Sequence, residues 1–265
     1  MNIDLDTIEI IKMPDGMPHL KFGHPNGYNY QVNARIRTAE DLIKLMLLSD
    51  ILDRHIDVSC RKYLNLLYLS PGRMDRPIDD HQPFTLRVFA NAINSLKFNA
   101  VTLHCPHSDQ TRLHILNSLI YNDEIFFKPA IMMFNHEICD YNISLVYPDK
   151  GANERWGKKY NNGSNVICEK VRDMQTGKLS GFKVLNPENV QENCLIIDDL
   201  CDGGGTFAGI AIKLREAGAK TIGLAVYHGI FSQGLPINGI DCIYTTNSYK
   251  DWISRSSKLK VIDVL

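Results

Sequence analysis

The 265-residue chain has no apolar run near the roughly 20 residues that a bilayer crossing needs. Its start, Met1-Asn2-Ile3-Asp4-Leu5-Asp6, is acidic and carries no signal-peptide core. Charge of one sign is missing too: the formal net charge is −1, so no global field favours nucleic acid or an anionic membrane. Seven cysteines (60, 105, 139, 168, 194, 201 and 242) are odd in number and never in C-x-x-C spacing. That excludes a zinc-ribbon pattern and argues against a disulfide framework. Most sit in apolar runs and read as small buried hydrophobes in a reducing compartment. Repeats, low-complexity segments and a G-x-G-x-x-G dinucleotide fingerprint are absent. The expectation is a cytoplasmic protein, or one of the host cytoplasm if viral, with no nucleic-acid or membrane partner.

What is present is a globular composition, 44% apolar and 22% charged, at a length that suits one large or two ordinary domains. From Leu64 onward, strand-like runs alternate with helical ones. The strands are Leu64–Leu69, Ala100–Leu103, Ile143–Tyr147, Val166–Cys168, Cys194–Ile197 and Thr221–Val226. Phe84–Leu96 and Gly205–Ala217 read as helices, the second closed by Gly218. The alternation predicts α/β domains with mainly parallel sheets and right-handed crossovers. A seam is placed near Asp123–Ala130, where Phe126-Phe127-Lys128-Pro129 breaks the pattern, giving domains 1–127 and 128–265, stacked with the site between them. Asn161-Asn162-Gly163 and Asp173–Phe182 read as mobile loops.

The most informative run is Cys194-Leu195-Ile196-Ile197-Asp198-Asp199-Leu200-Cys201-Asp202-Gly203-Gly204-Gly205-Thr206. A buried strand stops at two adjacent carboxylates in a solvent-facing turn; three glycines and a helix start follow. Free N–H groups and the helix dipole at such a turn suit an anion. Carboxylates cannot serve the phosphate, but they accept hydrogen bonds from a vicinal diol or hold a metal through water. Phosphate plus diol is what a ribose 5-phosphate presents. Cys201 lies in this loop, where Asp199 and Asp202 oppose thiolate formation.

The run resembles the ribose-phosphate loop of the phosphoribosyltransferase fold. With four upstream segments in order, the chain resembles the ribose-phosphate diphosphokinase (phosphoribosyl diphosphate synthetase) family, with a short phage-type member as one possibility. The first of these, Ser70-Pro71-Gly72-Arg73-Met74-Asp75-Arg76, resembles that family's Y-A-R-Q-D-R segment and is followed by Phe84–Asn91, similar to its P-I-T-A-K-L-F-A-N helix. Thr102-Leu103-His104-Cys105-Pro106 resembles D-L-H-A-P. Tyr147-Pro148-Asp149-Lys150-Gly151-Ala152 resembles S-P-D-x-G-G, and Lys170-Val171-Arg172 the K-x-R start of a catalytic lid. The resemblance implies two phosphoribosyltransferase-type domains and an enzyme that is a transferase. ATP is its co-substrate and Mg2+ its cofactor, and it forms a homo-oligomer, a dimer or larger. It assigns Lys170 and Arg172 to catalysis, and Arg73, Asp75, Asp15 and His104 to ATP. Asp198, Asp199, Asp202, Gly203, Gly204, Gly205 and Thr206 fall to the ribose phosphate, and His104 and Asp149 to the metal.

The chain departs from the family pattern in several places. The family's first strand and helix are expected to be missing before Met13-Pro14-Asp15-Gly16-Met17, which echoes F-S-D-G-E. Asp79 and Asp80 stand where the family has a basic regulatory stretch. Gly203 replaces a threonine of the phosphate turn, which is expected to open space there. The expected reaction is diphosphoryl transfer from ATP to the anomeric hydroxyl of ribose 5-phosphate, releasing AMP, in nucleotide biosynthesis. ADP-ribose, used in rebuilding NAD, is the alternative acceptor. A phosphoribosyltransferase and a non-catalytic regulatory homologue are the rivals.

Overall fold

In the computed structural model, which describes residues 1–23, 29–55, 60–160, 163–172, 179–253 and 258–265, the chain divides into two compact units. The first is Met1–Asn122 with Leu265, and the second Asp123–Val264.

The first unit runs β1 (Asn2–Asp4), β2 (Ile10–Lys12), β3 (Pro18–Leu20), β4 (Asn29–Ile36), α1 (Ala39–His55), β5 (Arg61–Leu69), α2 (Thr85–Ser95), β6 (Ala100–Leu103), α3 (Asp109–His114) and β7 (Ser118–Ile120). A five-stranded parallel sheet has the order β1-β4-β5-β6-β7, and β2 and β3 form a separate hairpin. Reading from Leu64 misses α1, whose start is nonetheless encoded. The Thr38 Oγ1 accepts from Asp41 N at 3.2 Å and the Asp41 carboxylate accepts from Thr38 N at 2.9 Å, a reciprocal capping box. Leu42, Leu45, Leu48 and Leu52 then recur at helical spacing and are buried against the sheet. The expected absence of a first strand is also corrected, because β1 pairs in parallel with β4 ahead of Met13. A three-residue sequence run is too short to show a strand; pairing with β4 supplies the backbone partners that make it one.

The second unit holds α4 (Glu124–Ile138), β8 (Ile143–Tyr147), α5 (Lys150–Ala152), β9 (Asn165–Arg172), β10 (Leu179–Val184), β11 (Asn193–Cys201), α6 (Gly205–Glu216), β12 (Thr221–Gly229), β13 (Cys242–Thr246) and β14 (Leu259–Ile262). Its seven-stranded sheet has the order β10-β9-β8-β11-β12-β13-β14 and is parallel except for β10, antiparallel to β9. The α/β class with mainly parallel sheets therefore holds in each unit. The segment Phe126-Phe127-Lys128-Pro129 does not break the pattern: it lies inside α4, with Phe126 and Phe127 fully buried. Burying two aromatics outweighs the one helical hydrogen bond that Pro129 removes.

The segment read as the loop Asp173–Phe182 is also different in part. Residues 173–178, like Asn161 and Asn162, lie outside the described residues, whereas Leu179–Phe182 belongs to β10. Phe182 packs against the core of this unit, and a Cβ placed on Gly209 of α6 would overlap the edge of its ring. Alanine is favoured over glycine in a helix by about 1 kcal/mol, whereas overpacking costs about 1–3 kcal/mol. Gly209→Ala is therefore expected to destabilise the protein in urea, and Phe182→Ala in the same chain to reverse the sign. A stabilised single variant would show that β10 does not sit on α6 as described.

Candidate functional site

The central strand β11 is bonded on both sides, to β8 and to β12, and Cys194, Leu195, Ile196 and Ile197 are fully buried. Parallel sheets bind ligands beyond the carboxyl ends of their strands, and this is where the two acids stand. They are not in a turn, as expected from the sequence. The strand continues through Cys201, with Asp198 opposite Val226 and Cys201 opposite Gly229, so both carboxyls are carried by regular strand. Asp199 is 5% exposed and Asp198 half-buried; Asp199 N donates to Asp198 Oδ1 at 2.9 Å. Burial first, and then the charge of Asp199 and direct contact between the two side chains, hold the Asp198 carboxyl well above the usual carboxylate range. The charge of Asp149 acts in the same direction. The thiol of Cys201 is pushed up to about 12, mainly by burial and further by Asp198 and Asp202, so it is no nucleophile.

The chain leaves β11 through Asp202 and Gly203, and Gly204 caps α6 at φ 80°. That conformation suits glycine, and a Cβ at Gly204 would meet Ile237 at 3.1 Å. Gly203 carries no such backbone demand. Its missing side chain does not leave open space, though, because a Cβ there would stand 3.3 Å from Cγ of Gln233 and 3.9 Å from Oγ of Ser232. The loop after β12 is bonded onto the turn, Ser232 N donating to Asp202 O at 3.1 Å. Sequence reading missed this loop because its residues follow β12, some thirty positions from the turn they touch. Gly205 and Thr206 open α6, whose first N–H groups lack intrahelical acceptors and point at whatever occupies the turn.

Asp149 and Lys170 come together in the same unit. Asp149 caps α5, with Oδ1 accepting from Ala152 N at 3.0 Å, and its Oδ2 accepts from Lys170 Nζ on β9 at 3.4 Å. Arg172 is the last residue of β9. In the first unit, His104 follows β6 and is 3% exposed; its Nε2 is 2.7 Å from Asn65 Oδ1, and its ring stacks on Tyr121 at 4.2 Å between centroids. The next residue, Cys105, is held at φ 37°, a strained setting for a side chain other than glycine. Arg73 ends the short 3-10 turn after β5 and is exposed, and Asp75 lies two residues on. Asp15 is exposed between β2 and β3, accepting from Met17 N at 3.1 Å. Among the described residues, no three His, Cys, Asp or Glu side chains converge as a metal site.

No family model matches the chain. It is 28% identical over 238 residues, 84% of its length and 70% of theirs, to the ribose-phosphate pyrophosphokinase of Mycoplasmopsis pulmonis. It is 27% identical over 239 residues, covering 87% and 79%, to that of Pyrococcus abyssi. The crystal structure of phosphoribosylpyrophosphate synthetase from Mycobacterium smegmatis superposes with a TM-score of 0.77 at 20% identity, covering 97% of this chain and 86% of that one. The resemblance drawn from the segments is thus matched over most of the chain in sequence and in fold: this protein is an enzyme homologous to the ribose-phosphate pyrophosphokinases.

Proposed function

We propose that the chain transfers the β,γ-diphosphoryl group of ATP to the anomeric hydroxyl of ribose 5-phosphate. The observation that carries this reading is the end of β11, where an acid pair precedes an anion-binding helix start. The acceptor oxygen attacks the β-phosphorus, the bond to the α-phosphate oxygen breaks, and AMP leaves. The Asp198 and Asp199 carboxyls accept from the 2- and 3-hydroxyls of the ribose. Backbone N–H groups of the 202–206 turn hold the 5-phosphate. Lys170 and Arg172 neutralise charge on the transferring group, and Arg73, with Asp75, Asp15 and His104, serves ATP.

The donor set fits magnesium. Asp149 offers a hard carboxylate oxygen, Oδ2, now facing Lys170, and magnesium bound mainly through substrate oxygens needs few protein ligands. Bound there, the ion would neutralise and orient triphosphate and ribose oxygens. His104, whose Nε2 meets Asn65, is the nitrogen ligand that this reading assigns to the nucleotide's metal. ADP-ribose as acceptor rested on open space at Gly203; with Gln233 against that position, ribose 5-phosphate takes first place.

Incubation with ATP, magnesium and each acceptor, scored by AMP release, tests the reading. AMP is expected with ribose 5-phosphate, and Lys170→Ala is expected to lower kcat about 100-fold with little change in KM. Acceptor-independent or absent AMP formation would refute it.

The raised Asp198 carboxyl has a consequence for stability. The native state keeps its proton above the unfolded value of about 3.9, so this group's contribution is lost as pH rises through the native value. In metal-free and ligand-free protein, Asp198→Asn is expected to raise Tm at neutral pH, with the gain shrinking toward pH ~4, while turnover falls. A variant less stable than wild type at neutral pH would contradict the assignment.

A further inference from the structure

A polar strip crosses the sheet of the first unit. Asn33 on β4 and Asn65 on β5 are register partners, Thr102 on β6 is the next in line, and His104 lies two residues beyond it. Their side chains form one directional chain. His104 Nε2 is 2.7 Å from Asn65 Oδ1, Asn65 Nδ2 donates to Asn33 Oδ1 at 3.0 Å, and Asn33 Nδ2 donates to Asn2 Oδ1 at 3.0 Å. Asn33, Asn65 and His104 are 4%, 9% and 3% exposed, while Asn2, at the far end, is exposed.

A carboxamide has an acceptor at one end and donors at the other, so the orientation of each asparagine dictates that of the next. Turning one amide alone would set donor against donor or acceptor against acceptor, and burial leaves little water to relieve the mismatch. The chain therefore reverses as a whole or not at all. In the orientation observed, Asn65 presents an oxygen to His104, and only a protonated Nε2 can meet it.

We infer that the Asn2–Asn33–Asn65 chain holds His104 as the Nε2–H tautomer, so that Nδ1 carries the lone pair. Asn65 is then a positioning residue, with the stacked Tyr121 ring fixing the imidazole plane. The use of that lone pair for the nucleotide and its metal rests on the functional reading above; the tautomer does not. A partner behind a ligand histidine normally sets which nitrogen is offered, and its loss costs on the order of 10-fold or more in affinity or activity. Here a run of neutral amides does so in place of a carboxylate, which leaves no extra negative charge beside a triphosphate.

The test is 15N-edited NMR of the histidine rings in the substrate-free and metal-free full chain, with His104→Gln to assign the signal. The expected result is a slowly exchanging Nε2–H and an unprotonated Nδ1. Asn33→Leu is expected to speed exchange of that ring proton and admit the Nδ1–H form, with kcat lowered about 10-fold. Should Asn33→Leu fail to fold, Asn2→Ala, at the exposed end, is read instead and is expected to shift exchange the same way, by less. A proton on Nδ1 in the wild type, or ring signals unchanged in the folded variant, would overturn the inference. The predicted tautomer in a protein that releases no AMP would instead fail the functional reading alone.

Discussion

Two carboxyl groups forced together at the end of a buried strand are the constraint on which the second unit depends. β11 is flanked by β8 and β12, and its apolar residues make it the floor of the core. A strand so fixed cannot swing its last residues outward, so Asp198 and Asp199 remain half-buried or buried with their carboxyl groups in contact. Left without a ligand, that arrangement works against folding; hydroxyl donors or a cation supplied by a ligand would relieve it. The rest of the unit serves this frame. Gly204 turns the chain into α6, Ile237 and Gln233 press the following loop onto the turn, and Asp149, whose charge reaches Asp198, pairs with Lys170.

The first unit solves a different problem with related means. Its sheet also carries the candidate nucleotide segments at its strand ends, with Arg73 after β5 and His104 after β6. Yet it buries amides on two adjacent strands, together with Arg35, which pairs with Asp4 and Asp6. Buried polar groups are tolerated when they are satisfied, and here the asparagines find partners on neighbouring strands and Arg35 finds Asp6 in the turn after β1. The result is a rigid support for a histidine that would otherwise be free to choose its tautomer.

The α/β class and the local order around the candidate site were legible in the sequence. In the run 194–206 the strand, the acid pair, the glycine turn and the helix start are contiguous, and such local order is what a sequence displays directly. The segments carrying Arg73, His104, Asp149 and Lys170 were legible by resemblance. Other features depend on contacts between distant residues. The acids sit in strand, not turn, because β12 extends the pairing past them. Gly203 lacks open space because Gln233 fills it, and Pro129 sits inside a helix because its aromatic neighbours are buried. β1 exists only through β4, and the amide chain behind His104 joins residues 2, 33, 65 and 104. By contrast α1, with its Thr38–Asp41 box and leucine spacing, was encoded locally.

The central claim is that the acid pair exists to hold the hydroxyls of a ribose whose 5-phosphate sits on the α6 turn. Calorimetric titration of ribose 5-phosphate into wild-type protein and the Asp198→Asn, Asp199→Asn double variant tests it most directly. The account predicts saturable binding to wild type and loss of about 10-fold or more in affinity for a double variant that remains folded, from two charge-assisted hydrogen bonds removed. Equal affinity in the two proteins would contradict it.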